Sequence, residues 1–145
     1  MSEQNIKFGR EALDAIFEGA EILNNAVSAT LGPNGKLVLM EKQEPPYIHL
    51  TKDGITVARS INLKNKFHRL GCETIKSAAE KTVSEVGDGT TSTTLLAFNI
   101  FKEGLKLLNS GFSANELKQG IDFAVAQMIV NLKKQSKQVK NRNDI

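Results

Sequence analysis

Apolar residues recur at three- and four-residue intervals through Ala12, Leu13, Ile16, Phe17, Ala20, Leu23, Ala26 and Val27, which predicts an amphipathic helix from about Gly9 to Ala29. Thr30-Leu31-Gly32-Pro33-Asn34-Gly35 ends it, because glycine followed by proline stops a helix and Asn-Gly supplies a further turn. Leu37 to Met40 then reads as a short strand, Glu44-Pro45-Pro46 as a loop, and Tyr47 to Thr51 as a returning strand with Ile48 and Leu50 on one face. A lone two-stranded hairpin is marginal in water, so this one needs a partner surface. Ile55 to Arg59 reads equally as a short helix or an extended connection. A second long helix is expected from about Leu63 to Val86, and a third carries Leu95, Leu96, Phe98, Phe101, Leu105 and Leu108 to an end near Asn109-Ser110-Gly111. Ser113 and Glu116, three apart, form a capping box ahead of Leu117, Ile121, Ala124, Val125, Met128, Ile129 and Leu132, predicting a fourth long helix. These Leu, Ile and Phe stripes are expected to be core. After Lys133 the text turns polar and unpatterned.

Composition narrows this picture only slightly. With 145 residues, 40% hydrophobic and 24% charged, the chain is one domain's worth and can bury a core of its own. The net charge is only +3, its excess lying in Lys133, Lys134, Lys137, Lys140 and Arg142 without interleaved aromatics, which argues against a nucleic-acid surface. The single Cys72 falls on an apolar helix side and is expected to be a small core residue in a reducing compartment. The first residues carry neither the cationic start nor the apolar run of a signal peptide, and a cytoplasmic setting is expected. His49 and His68 are too isolated for a zinc site, and no serine or cysteine stands in a nucleophile context.

The candidate chemistry lies in Gly87-Asp88-Gly89-Thr90-Thr91-Ser92-Thr93-Thr94, between two helical patterns. Flanking glycines allow positive φ and close backbone approach, and the first turn of the following helix leaves N–H groups without internal partners. Thr90, Thr91 and Ser92 add hydroxyl donors for phosphate oxygens, and Asp88 is the hard oxygen ligand that magnesium takes beside phosphates. The plain alternative is that Asp88 or Thr90 caps the helix and the glycines merely make the turn. Against it, one cap needs one acid or hydroxyl, and threonine runs are poor helix formers. Gly32 to Lys36 fails as a P-loop because its glycine spacing is wrong, and Lys52-Asp53-Gly54 is by itself an ordinary turn.

Taken in order, Ile6-Lys7-Phe8-Gly9, Thr30-Leu31-Gly32-Pro33-Asn34-Gly35, Thr51-Lys52-Asp53-Gly54-Ile55-Thr56-Val57-Ala58-Arg59, Gly87-Asp88-Gly89-Thr90-Thr91, Glu103-Gly104-Leu105-Lys106 and Leu117 to Asp122 closely resemble the group I chaperonins, the GroEL and sixty-kilodalton heat-shock family. The resemblance implies a mainly α fold, the N-terminal part of the long-helix equatorial domain with one small β-hairpin. It implies an ATP-driven folding machine: a double-ring homo-oligomer that encloses unfolded client proteins under a co-chaperonin lid, using ATP, Mg2+ and K+. Carried onto this sequence, Thr30, Leu31, Gly32 and Pro33 would contact nucleotide, and Lys52 with Gly54 would lie beside the phosphates and a monovalent cation. Asp88 would hold magnesium; Gly89, Thr90, Thr91 and Ser92 would wrap the phosphates. Asp53 matches an acid with a supporting role in hydrolysis. The hairpin from Leu37 to Thr51 would pair with a neighbouring subunit's terminal segments.

Three departures from the family pattern stand out: Ser92 replaces a third threonine, the loop at Glu44-Pro45-Pro46 is one residue longer, and the sequence stops at Ile145, about where the family passes into the intermediate domain and ahead of the aspartate that the family uses to orient the hydrolytic water. Residues 1–136 are therefore expected to be an N-terminal segment of the ATP-binding domain, and 137–145 the start of a connection to an intermediate domain. The apical client-binding surface would lie beyond. On this reading the 145-residue chain hydrolyses ATP negligibly and refolds nothing by itself. The alternative is a truncated module that binds chaperonin rings or nucleotide without folding activity.

Overall fold

The structure is a computed structural model that describes residues 6–41, 48–137, 139 and 141. α1 (Gly9–Ser28) is followed by the antiparallel pair β1 (Val38–Glu41) and β2 (Ile48–Thr51), then by α2 (Gly54–Ser60), α3 (Lys66–Val86), α4 (Thr90–Asn109) and α5 (Ala114–Gln135). The expected mainly α architecture with one small hairpin is the one found. The segment left open between helix and extended chain is α2. Asp53 begins it, its carboxylate accepting from the Thr56 N–H at 3.1 Å and from the Thr56 hydroxyl. α3 starts at Lys66 rather than near Leu63, because Asn65 caps it by accepting from the N–H groups of Phe67 and His68. The expected loop at Glu44-Pro45-Pro46 and the basic positions Lys140 and Arg142 lie outside the described residues.

The chain divides into two units, Met1–Glu103 and Gly104–Ile145. In the first, α1 and α3 pack through two glycines. A Cβ on Gly19 would stand 1.7 Å from the His68 carbonyl oxygen, and one on Gly71 would stand 1.8 Å from that of Ile16. Each helix thus lays a bare backbone face against the other's backbone, an approach no larger residue permits. The core beside this seam comprises Leu23, Val27, Val57, Ala58, Cys72, Ile75 and Phe98, all buried. Full burial of a leucine such as Leu23 is worth about 1.5–3 kcal/mol. Phe17 joins α1 to α4 with ring centroids 5.4 Å from Phe98 and 6.0 Å from Phe101. Lys76 is buried but satisfied, donating to the Ile61 carbonyl at 3.0 Å and to Glu73 at 2.7 Å, which ties the α2–α3 connection down. Cys72 is a core residue as expected, and burial raises its thiol pKa, against a lowering by Lys76.

The hairpin finds its partner surface within this unit. Val38 and Met40 pack against the core, while Ile48 and Leu50 do share a face but the opposite one, 63% and 58% exposed. In β2 the period-two pattern marked the apolar side correctly, yet the core lies on the side of His49 and Thr51.

In the second unit α4 closes on Gly111, at φ 100°, with the Phe112 N–H bonded to the Leu107 carbonyl at 3.1 Å. The capping box of α5 forms as expected: the Ser113 hydroxyl accepts from the Glu116 N–H at 3.2 Å, and Glu116 accepts from the Ser113 N–H at 2.8 Å. That N–H and then the Ser113 hydroxyl hold the Glu116 carboxyl below the usual glutamate range. The expectation that the α5 stripe is core is not met. No residue of α5 is buried, and Ile121, Val125, Met128 and Leu132 are exposed. An amphipathic pattern records that a helix has a face to bury, not that the chain in hand buries it.

Candidate functional site

Three turns from distant parts of the first unit meet in one cleft of about 240 Å³. It is lined by Thr30, Leu31 and Gly32 after α1, by Asp53 and Gly54 at the start of α2, and by Asp88 to Ser92 at the start of α4. The α1 turn is built on Gly32, at φ 70°, whose carbonyl accepts from the Gly35 N–H at 2.9 Å, while the Lys36 N–H returns to the Ala29 carbonyl at 2.7 Å. Gly87 and Gly89 carry φ of 81° and 97°, so the chain reverses around Asp88 through conformations that glycine adopts without strain. The Gly89 N–H donates to the Asp88 carboxylate at 2.6 Å, and α4 then begins with its threonine run.

Thr30 and Thr91 join the first turn to the third, their hydroxyl oxygens 3.0 Å apart. Thr30 donates its one hydroxyl hydrogen to the Val27 carbonyl at 2.8 Å, which makes Thr91 the donor of the pair. Gly54 fits beneath this bridge. It is buried, and a Cβ there would lie 2.3 Å from the Thr91 hydroxyl oxygen and 3.3 Å from that of Thr30. Read as part of an Asp-Gly turn, Gly54 has no positive φ to account for; the glycine is there for room.

Of the site residues expected from sequence, the structure brings together Thr30, Leu31, Gly32, Asp53, Gly54, Asp88, Gly89, Thr90, Thr91 and Ser92. Pro33 and Lys52 are exposed and outside the lining set. Asp53 does double duty: it borders the cleft and caps α2. The charged side chains of the lining are two carboxylates and no cation, accompanied by hydroxyls and the start of a long helix. That donor set suits a hard divalent cation bridging to a phosphate, since bare phosphate would meet two like charges. Among the described residues no three His, Cys, Asp or Glu side chains gather into a protein-only metal cage, and magnesium, which keeps waters and takes phosphate oxygens, does not require one. A larger hollow of about 520 Å³ near Lys7, Lys64 and Lys66 collects surface lysines, one already paired with Glu11.

The bundle of long helices with a small antiparallel hairpin is the helical fold of the chaperonin equatorial domain. It superposes on the chaperonin gp146 from the bacteriophage EL 2 (Pseudomonas aeruginosa), solved in two crystal forms in the presence of ATP-BeFx. The TM-scores are 0.74 and 0.73, with 32% sequence identity over 91% of this chain and 23% of that one. Residues 23–145 match the sequence pattern of the TCP-1/cpn60 chaperonin family, and the chain belongs to that family. It spans 23% of the length of the solved relatives it matches.

Proposed function

We propose that this chain forms part of the ATP site of an ATP-dependent chaperonin subunit that assists protein folding within a double ring closed by a co-chaperonin. The observation that carries this reading is the cleft: three turns far apart in sequence supply two aspartates, a hydroxyl bridge and the first turn of α4 to one small volume. The structures of gp146 with ATP-BeFx support a nucleotide as the ligand. Asp88 holds Mg2+, which neutralises phosphate charge and fixes the phosphates in place when bound. Gly89, Thr90, Thr91 and Ser92 present backbone N–H and hydroxyl groups to the phosphates, and Thr30 to Gly32 border the nucleotide. On this reading Pro33 and Lys52, exposed and outside the lining, would come beside the nucleotide, and Lys52 would lie near a monovalent cation, K+. Asp53 has its supporting role in hydrolysis with one carboxylate oxygen, Oδ2, already engaged by Thr56. Hydrolysis and client folding belong to the complete subunit, because phosphoryl transfer rests on water and metal being positioned together.

Calorimetric titration of the 145-residue chain with MgATP tests this. Saturable 1:1 binding without turnover, weakened at least about tenfold by Asp88→Ala or by EDTA, is expected from loss of a charge-assisted contact. Absence of binding, or binding indifferent to both changes, would refute the reading.

A further inference from the structure

Thr82 lies in α3, outside every turn that marks the cleft. Its hydroxyl donates to the Ala78 carbonyl at 3.1 Å, as a helical threonine commonly does. With that single hydrogen committed, its oxygen has only lone pairs to offer, and the Thr93 hydroxyl of α4 donates into them at 3.1 Å. Thr93 in turn gives its backbone N–H to the Gly89 carbonyl at 2.9 Å. The second branch of the same side chain, its γ-methyl, lies 3.4 Å from where a Cβ on Gly89 would stand, so it covers the open face of that glycine. One side chain therefore meets the loop at two points, filling the space beside Gly89 with its methyl and bonding the first turn of α4 through its hydroxyl.

The loop needs such a hold. Only Gly87, Asp88 and Gly89 join α3 to α4, and both glycines have positive φ. A Gly-Asp-Gly connection is free to turn its peptide planes unless something outside fixes them. The Asp88 carboxylate accepts from the Gly89 N–H at 2.6 Å, so its direction follows that of Gly89.

We propose that Thr82 is a positioning residue of the Gly87–Ser92 loop: braced against Gly89 and Thr93, it sets the direction in which Asp88 and Thr91 face the cleft. The ligand rests on the nucleotide reading above; the brace itself does not. The test uses the full chain with Thr82→Val, Thr93→Val and Thr82→Ser, followed by amide hydrogen exchange and MgATP titration. Removing the hydroxyl bond from either side should speed exchange of the Thr93 amide about tenfold, the scale of one ordinary hydrogen bond, while Leu23 and Ile75 keep wild-type protection. Affinity for MgATP should fall by about five- to tenfold, with the thermal midpoint of the free chain lowered by no more than a few degrees, and by less for ATP in EDTA, because the loop aims the metal's carboxylate. Thr82→Ser, which keeps the hydroxyl, should recover most of the affinity. Unchanged Thr93 exchange in both valine variants would overturn the proposal, as would loosening spread equally over α1 and α3. Wild-type chain that binds no MgATP would sink the nucleotide reading instead, and the exchange data would still decide the brace.

Discussion

Gly54→Ala is the sharpest probe of how the cleft is assembled. The added methyl would stand 2.3 Å from the Thr91 hydroxyl oxygen, well inside contact, and 3.3 Å from the Thr30 oxygen. Thr91 is β-branched and can clear the methyl only by turning its hydroxyl away, which gives up the 3.0 Å bond to Thr30. Overpacking costs about 1–3 kcal/mol and the lost hydrogen bond about 0.5–1.5 kcal/mol. Against them, alanine in place of glycine favours a helix by up to about 1 kcal/mol. The net expectation is a loss of about 1–3 kcal/mol. In a Thr91→Ala background the obstructing oxygen is gone, and the next atoms, the Thr30 oxygen at 3.3 Å and Thr91 Cβ at 3.5 Å, leave room after a slight shift. There Gly54→Ala should be neutral or stabilising by up to about 1 kcal/mol. Urea unfolding of the four proteins in this cycle measures the coupling, expected at about 1–4 kcal/mol. Additivity within about 0.5 kcal/mol would show that Gly54 does not lie under Thr91.

Gly71→Ala should destabilise the first unit by about 3 kcal/mol, at the top of the overpacking range, because its Cβ meets the Ile16 carbonyl at 1.8 Å; a change below about 1 kcal/mol in urea unfolding would contradict the close α1–α3 approach. Thr94→Val should hold or raise the thermal midpoint, since the Thr94 hydroxyl is fully buried without a hydrogen-bond partner; destabilisation beyond about 1 kcal/mol would mean that it has one. Glu116 has a depressed folded-state pKa, so the cap it makes on α5 is present above its unfolded pKa and lost as pH falls through the folded one. NMR titration of the Ser113 and Glu116 amides should show that loosening on acidification; its persistence in Glu116→Gln would assign the titration elsewhere.

What the sequence made legible was local. The α5 start followed from Ser113 and Glu116, both acting within one turn, and the Asp88 to Ser92 turn from glycines and hydroxyls adjacent in the text, whereas Thr30 to Gly32 and Asp53 with Gly54 read locally as a helix stop and a plain turn and entered only through the family resemblance. Gly19 and Gly71 gave no such signal, because the partner of each is a carbonyl of another helix and nothing in a helical stripe distinguishes a close-approach glycine from a weak spot. The exposed side of Ile48 and Leu50 was hidden for a related reason. Alternation says which residues share a face, and only the docking of Val38 and Met40 decides which face is inside. Thr82 was invisible because its hydroxyl satisfies Ala78 as any helical threonine would, and only the fold sets Thr93 against its lone pairs.

The same distance between local and tertiary information bears on what the cleft selects. The family resemblance implies separate parts for Asp53 and Asp88, one in hydrolysis and one on a metal. Both border a cleft whose lining carries no cationic side chain, so on the proposed function their charges together disfavour an unaccompanied phosphate. Neither carboxylate is spare in the free chain: Asp53 accepts from Thr56, and Asp88 accepts from the Gly89 N–H. Each therefore has an oxygen held by its own turn and another to offer a cation. On the proposed function, nucleotide binding and divalent-cation binding are then one event. On that reading this charge arrangement favours the metal-bearing form of the nucleotide over the free one.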